Sequence, residues 1–302
     1  MDYNSGYPEI ELDLDKFKQI FPPDFLKQIH LIDFNGNLGD CSLASDLVSI
    51  LEYVYESSQC LVNITTNGST RTPDWWSNLV NPRLTIIFDL DGLGDTHALY
   101  RLDTDWNKIL RNASAFIQNG GRATWKMIVF DHNRHQLKEC ESLSKQLGFK
   151  SFLPVDHGRN QGPVYDRQGK FSHWLGPAHE HTPNIKEMLE SHLTWFDTKP
   201  SSEWGLEDKE KCDIRCQHIQ NKELYVAADG SVYPCCFLGF YPETMIHPGN
   251  SQLVKIVNKN NALEYDLKEC IQWFNSIEKS WQLESVNQGK LYNCVVSCGV
   301  RP

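Results

Sequence analysis

The run Leu61-Val62-Asn63-Ile64-Thr65-Thr66-Asn67-Gly68-Ser69-Thr70-Arg71-Thr72-Pro73-Asp74 decides the fold. Its first six residues are mostly apolar or β-branched, as a strand requires. Asn67-Gly68-Ser69 then supplies turn residues, and Thr72-Pro73-Asp74 offers a helix N-cap, a first-turn proline and a first-turn acid. Strand, polar loop and capped helix in that order make one βα unit, and the order recurs on both sides. Strands are predicted at His30 to Phe34, Leu61 to Thr66, Leu84 to Leu90, Ala123 to Phe130 and Phe149 to Val155. Helices are predicted at Ser42 to Tyr55, Pro73 to Leu79, Asp105 to Gln118 and Gln136 to Leu147. Gly120 and Gly148 follow helix ends, where a left-handed residue closes the last turn. The alternation predicts an α/β fold with a parallel sheet. Upstream, Leu14 to Ile29 reads as a helix split by Pro22-Pro23.

With 302 residues, 40% of them hydrophobic and 23% charged, the chain has material for one large core or two domains. Its 29 Lys and Arg stand against 39 Asp and Glu, a formal charge of −10. No Lys/Arg cluster offsets that balance, which argues against a nucleic-acid binder held by phosphate neutralisation. There is no charged-then-apolar leader and no run of eighteen apolar residues, so a cytoplasmic protein without membrane contact is expected.

A parallel sheet binds ligands at the C-terminal ends of its strands. The residues there are Asn35-Gly36-Asn37-Leu38-Gly39-Asp40, Thr65 to Ser69, Asp89-Leu90-Asp91-Gly92 followed by Tyr100-Arg101, and Asp131-His132-Asn133. Taken singly they are what any strand-to-helix loop needs. Four such loops on one rim form a candidate site.

The C-terminal third carries a second signal. Cys216, Cys235, Cys294 and Cys298 are set as C-x13-G-x4-C and C-x3-C-G, with Cys212 and Cys236 beside the first two. Leu224 to Pro234 reads as two short strands joined at Asp229-Gly230, a hairpin that returns Cys235 toward Cys216. Spaced thiolates of this kind hold an iron-sulfur cluster or a structural zinc ion. Scattered buried thiols are the third reading, and they account for Cys60 and Cys140 inside apolar segments.

The Cys212 to Cys298 segment resembles the SPASM or shorter twitch auxiliary-cluster domain of radical S-adenosylmethionine (SAM) enzymes, in which four cysteines hold an auxiliary 4Fe-4S cluster. The resemblance extends to the first half. Gly39-Asp40 is similar to the end of the family's Gly-Gly-Glu-Pro motif, which contacts the SAM amino group, with Cys41 where proline often stands. Thr66-Asn67-Gly68 is similar to the family's TNG turn. Asp91-Gly92 with Arg101 resembles its S-x-D-G…R arrangement, whose arginine pairs with the SAM carboxylate, and Asn133 falls where a ribose contact is often placed. The resemblance implies a partial (βα) barrel of the radical SAM type at 1–157, a connection at 158–205 and a SPASM/twitch-like domain at 206–302. It also implies SAM and an auxiliary 4Fe-4S cluster as cofactors, and a peptide or small polar substrate.

Two departures accompany it. Asp89 replaces the serine of S-x-D-G, and a second carboxylate beside Asp91 would repel that of SAM unless it is turned away or protonated. No C-x3-C-x2-C motif occurs in the sequence. In the family its three cysteines leave one iron open for SAM. Three explanations are open: a split enzyme whose second polypeptide carries that motif with the first barrel strand, a truncated frame, or a degenerate binding module. In each case this chain alone is not expected to cleave SAM. A noncatalytic scaffold with structural zinc is the alternative from another class.

The connection His157 to Trp204 is expected to be a solvated loop. Its His173, His179, His181 and His192 lack the spacing of a zinc motif, and Trp174, Trp195 and Trp204 are expected to pack it onto the barrel mouth. Leu263 to Leu283, apolar at helical spacing, predicts one amphipathic helix.

Overall fold

The computed structural model describes residues 10–36, 39–156, 162–166, 170–176, 212–239 and 250–300. The chain divides into two compact units. One is Phe21–Thr182 with Met1–Tyr3, the other Pro183–Pro302 with Asn4–Ile20.

The first unit is built on five parallel strands, β1 (Leu31–Asn35), β2 (Leu61–Thr66), β3 (Leu84–Asp89), β4 (Arg122–Ile128) and β5 (Ser151–Val155), hydrogen-bonded in sequential order. Each crossover is right-handed by the sterics of twisted strands, so sequential order places every connecting helix on one side and the sheet takes a barrel-like course. The helices are α2 (Pro23–Leu26), α3 (Leu47–Ser57), α4 (Pro73–Asn78), α5 (Gly94–Tyr100), α6 (Trp106–Gln118) and α7 (Leu137–Leu147). All five predicted strands and four predicted helices are present.

Alternation decides what each sheet face does. Val62, Ile64, Leu84, Ile86, Phe88, Ala123 and Trp125 are fully buried on the helix side. There Trp76, Phe88, Phe149 and Trp125 form a run of ring contacts 5.6–6.0 Å apart. Each such buried side chain contributes about 1.5–3 kcal/mol. The opposite face is polar and half-exposed. Register aligns Asn35, Thr65, Ile87, Thr124 and Ser151 in one row across all five strands, and Asp89 with Lys126 in the next row on that face.

Four expectations are corrected. The helix expected from Ser42 starts at Leu47, behind a 3-10 turn at Cys41–Leu43. Arg71 Nε and Nη2 donate to the carbonyls of Ser42, Leu43 and Ala44 at 2.7–3.1 Å, which stops the turn from running on into the helix. Helix α5 lies where only a loop was expected. Its N-cap, Leu93, makes no side-chain cap, and tertiary contacts hold it instead. The connection, expected to be a loop, contains an antiparallel hairpin of β6 (Gly162–Tyr165) and β7 (Phe171–Leu175). His173 Nε2 lies 2.8 Å from the Leu99 carbonyl, fixing the hairpin to α5. His179, His181, His192, Trp195 and Trp204 lie outside the described residues. Last, Leu263 to Leu283 forms two helices rather than one, as given below.

The second unit includes α1 (Leu14–Ile20), whose Gln19 Nε2 donates to Leu263 O at 2.8 Å. The expected break at Pro22-Pro23 separates α1 from α2, just past the boundary of the units between Ile20 and Phe21. Its other elements are β8 (Asp213–Ile214), α8 (Gln217–Gln220), β9 (Tyr225–Val226), β10 (Val232–Tyr233), α9 (Cys236–Gly239), α10 (Asn250–Leu253), α11 (Leu267–Gln272), α12 (Phe274–Trp281), α13 (Tyr292–Cys298) and β11 (Gly299–Val300). The turn joining β9 to β10 contains Gly230 at φ 88°, the left-handed conformation that Asp-Gly was expected to supply. Among the described residues of the whole chain, no helix is long and apolar enough to cross a membrane.

Candidate functional site

The rim of the first unit is organised by carboxylates. Asp40 caps the 3-10 turn through Ser42 N (2.9 Å) and Ser42 Oγ (2.6 Å). It also accepts from Thr66 Oγ1 at 2.8–2.9 Å and from Asn67 N at 2.9 Å. Asp40, Thr66 and Asn67 are therefore one constellation, with Gly39 next to it in the chain. The Asn67 side chain accepts from Ser69 N. Cys41 Sγ lies 3.5–3.6 Å from the carbonyls of Phe34 and Thr65, and burial pushes its thiol up to about 12.

Asp91 is fully buried at the end of β3. Its Oδ1 accepts Ile128 N (2.7 Å), its Oδ2 pairs with Arg101 Nε (2.7 Å), and its own N–H donates to His97 Nδ1 (3.0 Å). Arg101 Nη2 reaches Asp89 Oδ2 at 3.1 Å, and Lys126 Nζ holds Asp89 Oδ1 at 2.9 Å. Burial opposes the guanidinium charge, but Asp91 and Asp89 outweigh it and hold Arg101 above its ordinary value. The two aspartates are thus neutralised within the chain. Arg101, expected to face a ligand carboxylate, faces protein carboxylates here.

Asn133 is also turned inward. Its Nδ2 donates to Asp91 O (3.2 Å) and Ile128 O (2.9 Å), and its Oδ1 accepts Phe130 N (2.8 Å). Both amide hydrogens are used, so its role is to close the β4 turn against Asp91 rather than to present a polar group to a ribose. Gln136 works beside it, accepting from Leu93 N (2.9 Å) and donating to Asp95 Oδ1 (2.9 Å). At Gly92, φ 113°, an added Cβ would collide with Thr96 Oγ1. His97, Lys126, Gln136 and Arg71 were not among the sequence candidates for this rim, whereas Asp89 was, as the second carboxylate beside Asp91. Of these only Lys126 carries a sequence signal, as a charged residue inside an apolar strand.

The four cysteines of the second unit come together. Antiparallel pairing of β8 with β11, and Arg215 N donating to Cys298 O at 3.1 Å, bring the Cys216 and Cys298 segments into contact. Cys235 follows β10 and starts α9, with Gly239 N donating to its carbonyl at 3.1 Å. Cys294 and Cys298, four apart on α13, share a helix face. All four line a single cavity whose wall includes Phe237 and Trp281. Burial pushes the Cys235 and Cys294 thiols up to about 12, and neighbouring cysteines add to both effects. The indole N–H of Trp281 is buried against the Cys294 sulfur, where it works against the upward push of burial, and it meets no acceptor at full hydrogen-bond geometry among the described residues. Cys212 stands apart in an apolar cluster with Val286 and Val295, behind Gly299, where a Cβ would come within 2.5 Å of its Sγ. Cys60 and Cys140 are buried in the first unit, as expected.

The sheet order and helix placement define a partial α/β barrel. No family model matches the chain. A curated relative, the cysteine-type anaerobic sulfatase-maturating enzyme of Clostridium novyi (strain NT), is 26% identical over 206 residues, 62% of this chain and 52% of the relative. The chain thus spans about half the length of that relative. Among solved structures, native anSMEcpe with bound AdoMet and Cp18Cys peptide aligns over 95% of this chain and 81% of its own, at 16% identity and TM-score 0.52. A histidine-tagged form of anSMEcpe with bound AdoMet aligns over 95% of this chain and 76% of its own, at 16% identity and TM-score 0.51. These similarities concern the fold, and they give no support to a second polypeptide carrying the absent motif.

Proposed function

We propose that this chain is a radical SAM protein of the auxiliary-cluster kind, with a SPASM/twitch-like C-terminal domain, that acts on a cysteine-bearing peptide. The observation carrying this reading is the cavity lined by Cys216, Cys235, Cys294 and Cys298. Four thiols spread around one cavity suit a 4Fe-4S cluster, in which each cysteine holds a different iron. The unmatched indole N–H of Trp281 suits the same group, because N–H donors to cluster sulfur are part of how proteins set its potential. Such a cluster, when bound, supplies one-electron chemistry close to the substrate.

At the rim, Asp40 with Thr66 and Asn67 is the acceptor group for an amino end, and Arg101 is the cation for a carboxylate end, of SAM. The peptide reading rests on the relatives: one is a cysteine-type sulfatase-maturating enzyme, and one structure holds a Cp18Cys peptide. The residues present do not fit the SAM-cleaving cluster, for which the 302-residue chain has no C-x3-C-x2-C motif.

Anaerobic reconstitution tests the proposal. About four iron and four sulfide per chain are expected, lost in Cys235→Ala and Cys298→Ala and kept in Cys60→Ala. Stoichiometric zinc without visible absorption would overturn it in favour of the scaffold reading. The chain alone, reduced, is expected to form no 5′-deoxyadenosine.

A further inference from the structure

The four charges at the end of β3 and β4 are two of each sign, but the two carboxylates are held differently. Asp91 has no exposed surface and anchors a backbone N–H as well as Arg101. It cannot leave without stranding buried groups. The Asp89 side chain is 14% exposed, and among the described residues its carboxylate touches only two cations, Arg101 Nη2 on one oxygen and Lys126 Nζ on the other. Those cations are themselves 23% and 27% exposed. A guanidinium and an ammonium gripping the two oxygens of one carboxylate is the way a protein binds a carboxylate ligand. Here the carboxylate belongs to the chain. It stands at the C-terminal end of its strand, where a parallel sheet takes its ligands.

We propose that Arg101 and Lys126 form a carboxylate site that Asp89 fills from within, and that a carboxylate-bearing ligand binds by displacing Asp89. The identity of that ligand as SAM rests on the function proposed above; the site itself does not. An entering carboxylate gains the two charge-assisted contacts that Asp89 gives up, so wild-type affinity is held down by exchange. Asp89 is thereby an affinity-determining residue. Its neutralisation leaves the rim with one uncompensated positive charge and no resident competitor.

Two readouts separate the site from its ligand. Equilibrium dialysis with labelled SAM is expected to show binding tightened about ten- to hundredfold in Asp89→Ser and Asp89→Asn, the worth of a hydrogen bond to a charged group. Adding Lys126→Met should remove most of the gain. Phenylglyoxal labelling of Arg101, read by peptide mass spectrometry, requires no SAM. Asp89→Ser should raise the labelling rate, and malonate should protect Arg101 in that variant far more than in wild type. Protection by malonate with no SAM binding in any variant would sink the SAM reading and leave the carboxylate site standing. Labelling and malonate protection unchanged by both Asp89 variants would overturn the site, whatever SAM does.

Discussion

The rim of the barrel-type unit and the cysteine cavity of the C-terminal unit both bury polar groups, and they answer that cost differently. At the rim Asp91 meets Arg101, a backbone N–H and the Asn133-closed turn, while Asp89 meets Arg101 and Lys126. Around the cavity, two thiols are pushed up to about 12 by burial, and an indole N–H faces only the Cys294 sulfur, short of full hydrogen-bond geometry among the described residues. A buried polar group is stable when the chain itself supplies the partner. The rim is accordingly a structural network that a ligand must compete with, whereas the cavity wall gains when a soft, positively charged group binds its sulfurs. Variants of the anchored rim groups should therefore lower the stability of the metal-free protein more than cavity variants do.

The largest expected effect is at Asp91. Asp91→Ala removes the partner of Arg101 and the acceptor of Ile128 N–H, and breaking a buried pair from one side costs about 3–5 kcal/mol. Asp89→Asn, on the more exposed carboxylate, should cost about 1 kcal/mol or less. Urea unfolding of the two metal-free variants measures the difference, and equal losses would break the distinction between anchored and exchangeable carboxylates.

Next comes His97, whose Nδ1 accepts the Asp91 N–H. Burial, reinforced by the Arg101 charge, lowers its pKa from 6.5 to about 4. Between those values the unfolded chain binds a proton that the folded one refuses, so stability is full above pH 6.5 and falls as pH drops toward 4. The loss approaches ~3 kcal/mol. His97→Gln should abolish that part of the pH slope, measured as the difference between the urea midpoints of variant and wild type from about pH 7 to about pH 4. Parallel slopes would mean that the imidazole is hydrated rather than enclosed.

Periodicity made the sheet legible. The alternation in Leu61–Thr66 and Leu84–Asp89 fixes both the strands and their buried faces, and Pro73 and Gly148 mark helix ends through local backbone chemistry. The cysteine spacing was legible for the same reason: a turn at Gly230 and one helical turn from Cys294 to Cys298 are local geometry. What escaped was held by distant partners. Helix α5 has no cap of its own and is held by Gln136, more than forty residues on, which accepts from Leu93 N. Arg71 ends the 3-10 turn from nearly thirty residues away, and Lys126 enters the site only by pairing with Asp89 on the neighbouring strand. Nothing local to those residues announces their partners.

The smallest effects test the other side of the comparison. Cys235→Ala in the metal-free protein removes a thiol whose sulfur lines a cavity, so its loss should stay near ~1 kcal/mol, below the roughly 2–5 kcal/mol of filled-core truncations. Trp281→Phe keeps most of the ring and deletes the buried N–H. A donor left unmatched in the interior costs about 1–3 kcal/mol, so its removal should offset the lost ring volume and leave metal-free stability within about 1 kcal/mol of wild type. In the reconstituted protein the same change should appear where stability does not. An N–H donor to sulfur favours the more negative, reduced cluster, so Trp281→Phe should lower the reduction potential read by a titration followed with electron paramagnetic resonance. A metal-free loss well above that of Cys235→Ala, with an unshifted potential, would mean that the indole N–H has a partner inside the folded chain, and the cavity would then be as self-sufficient as the rim.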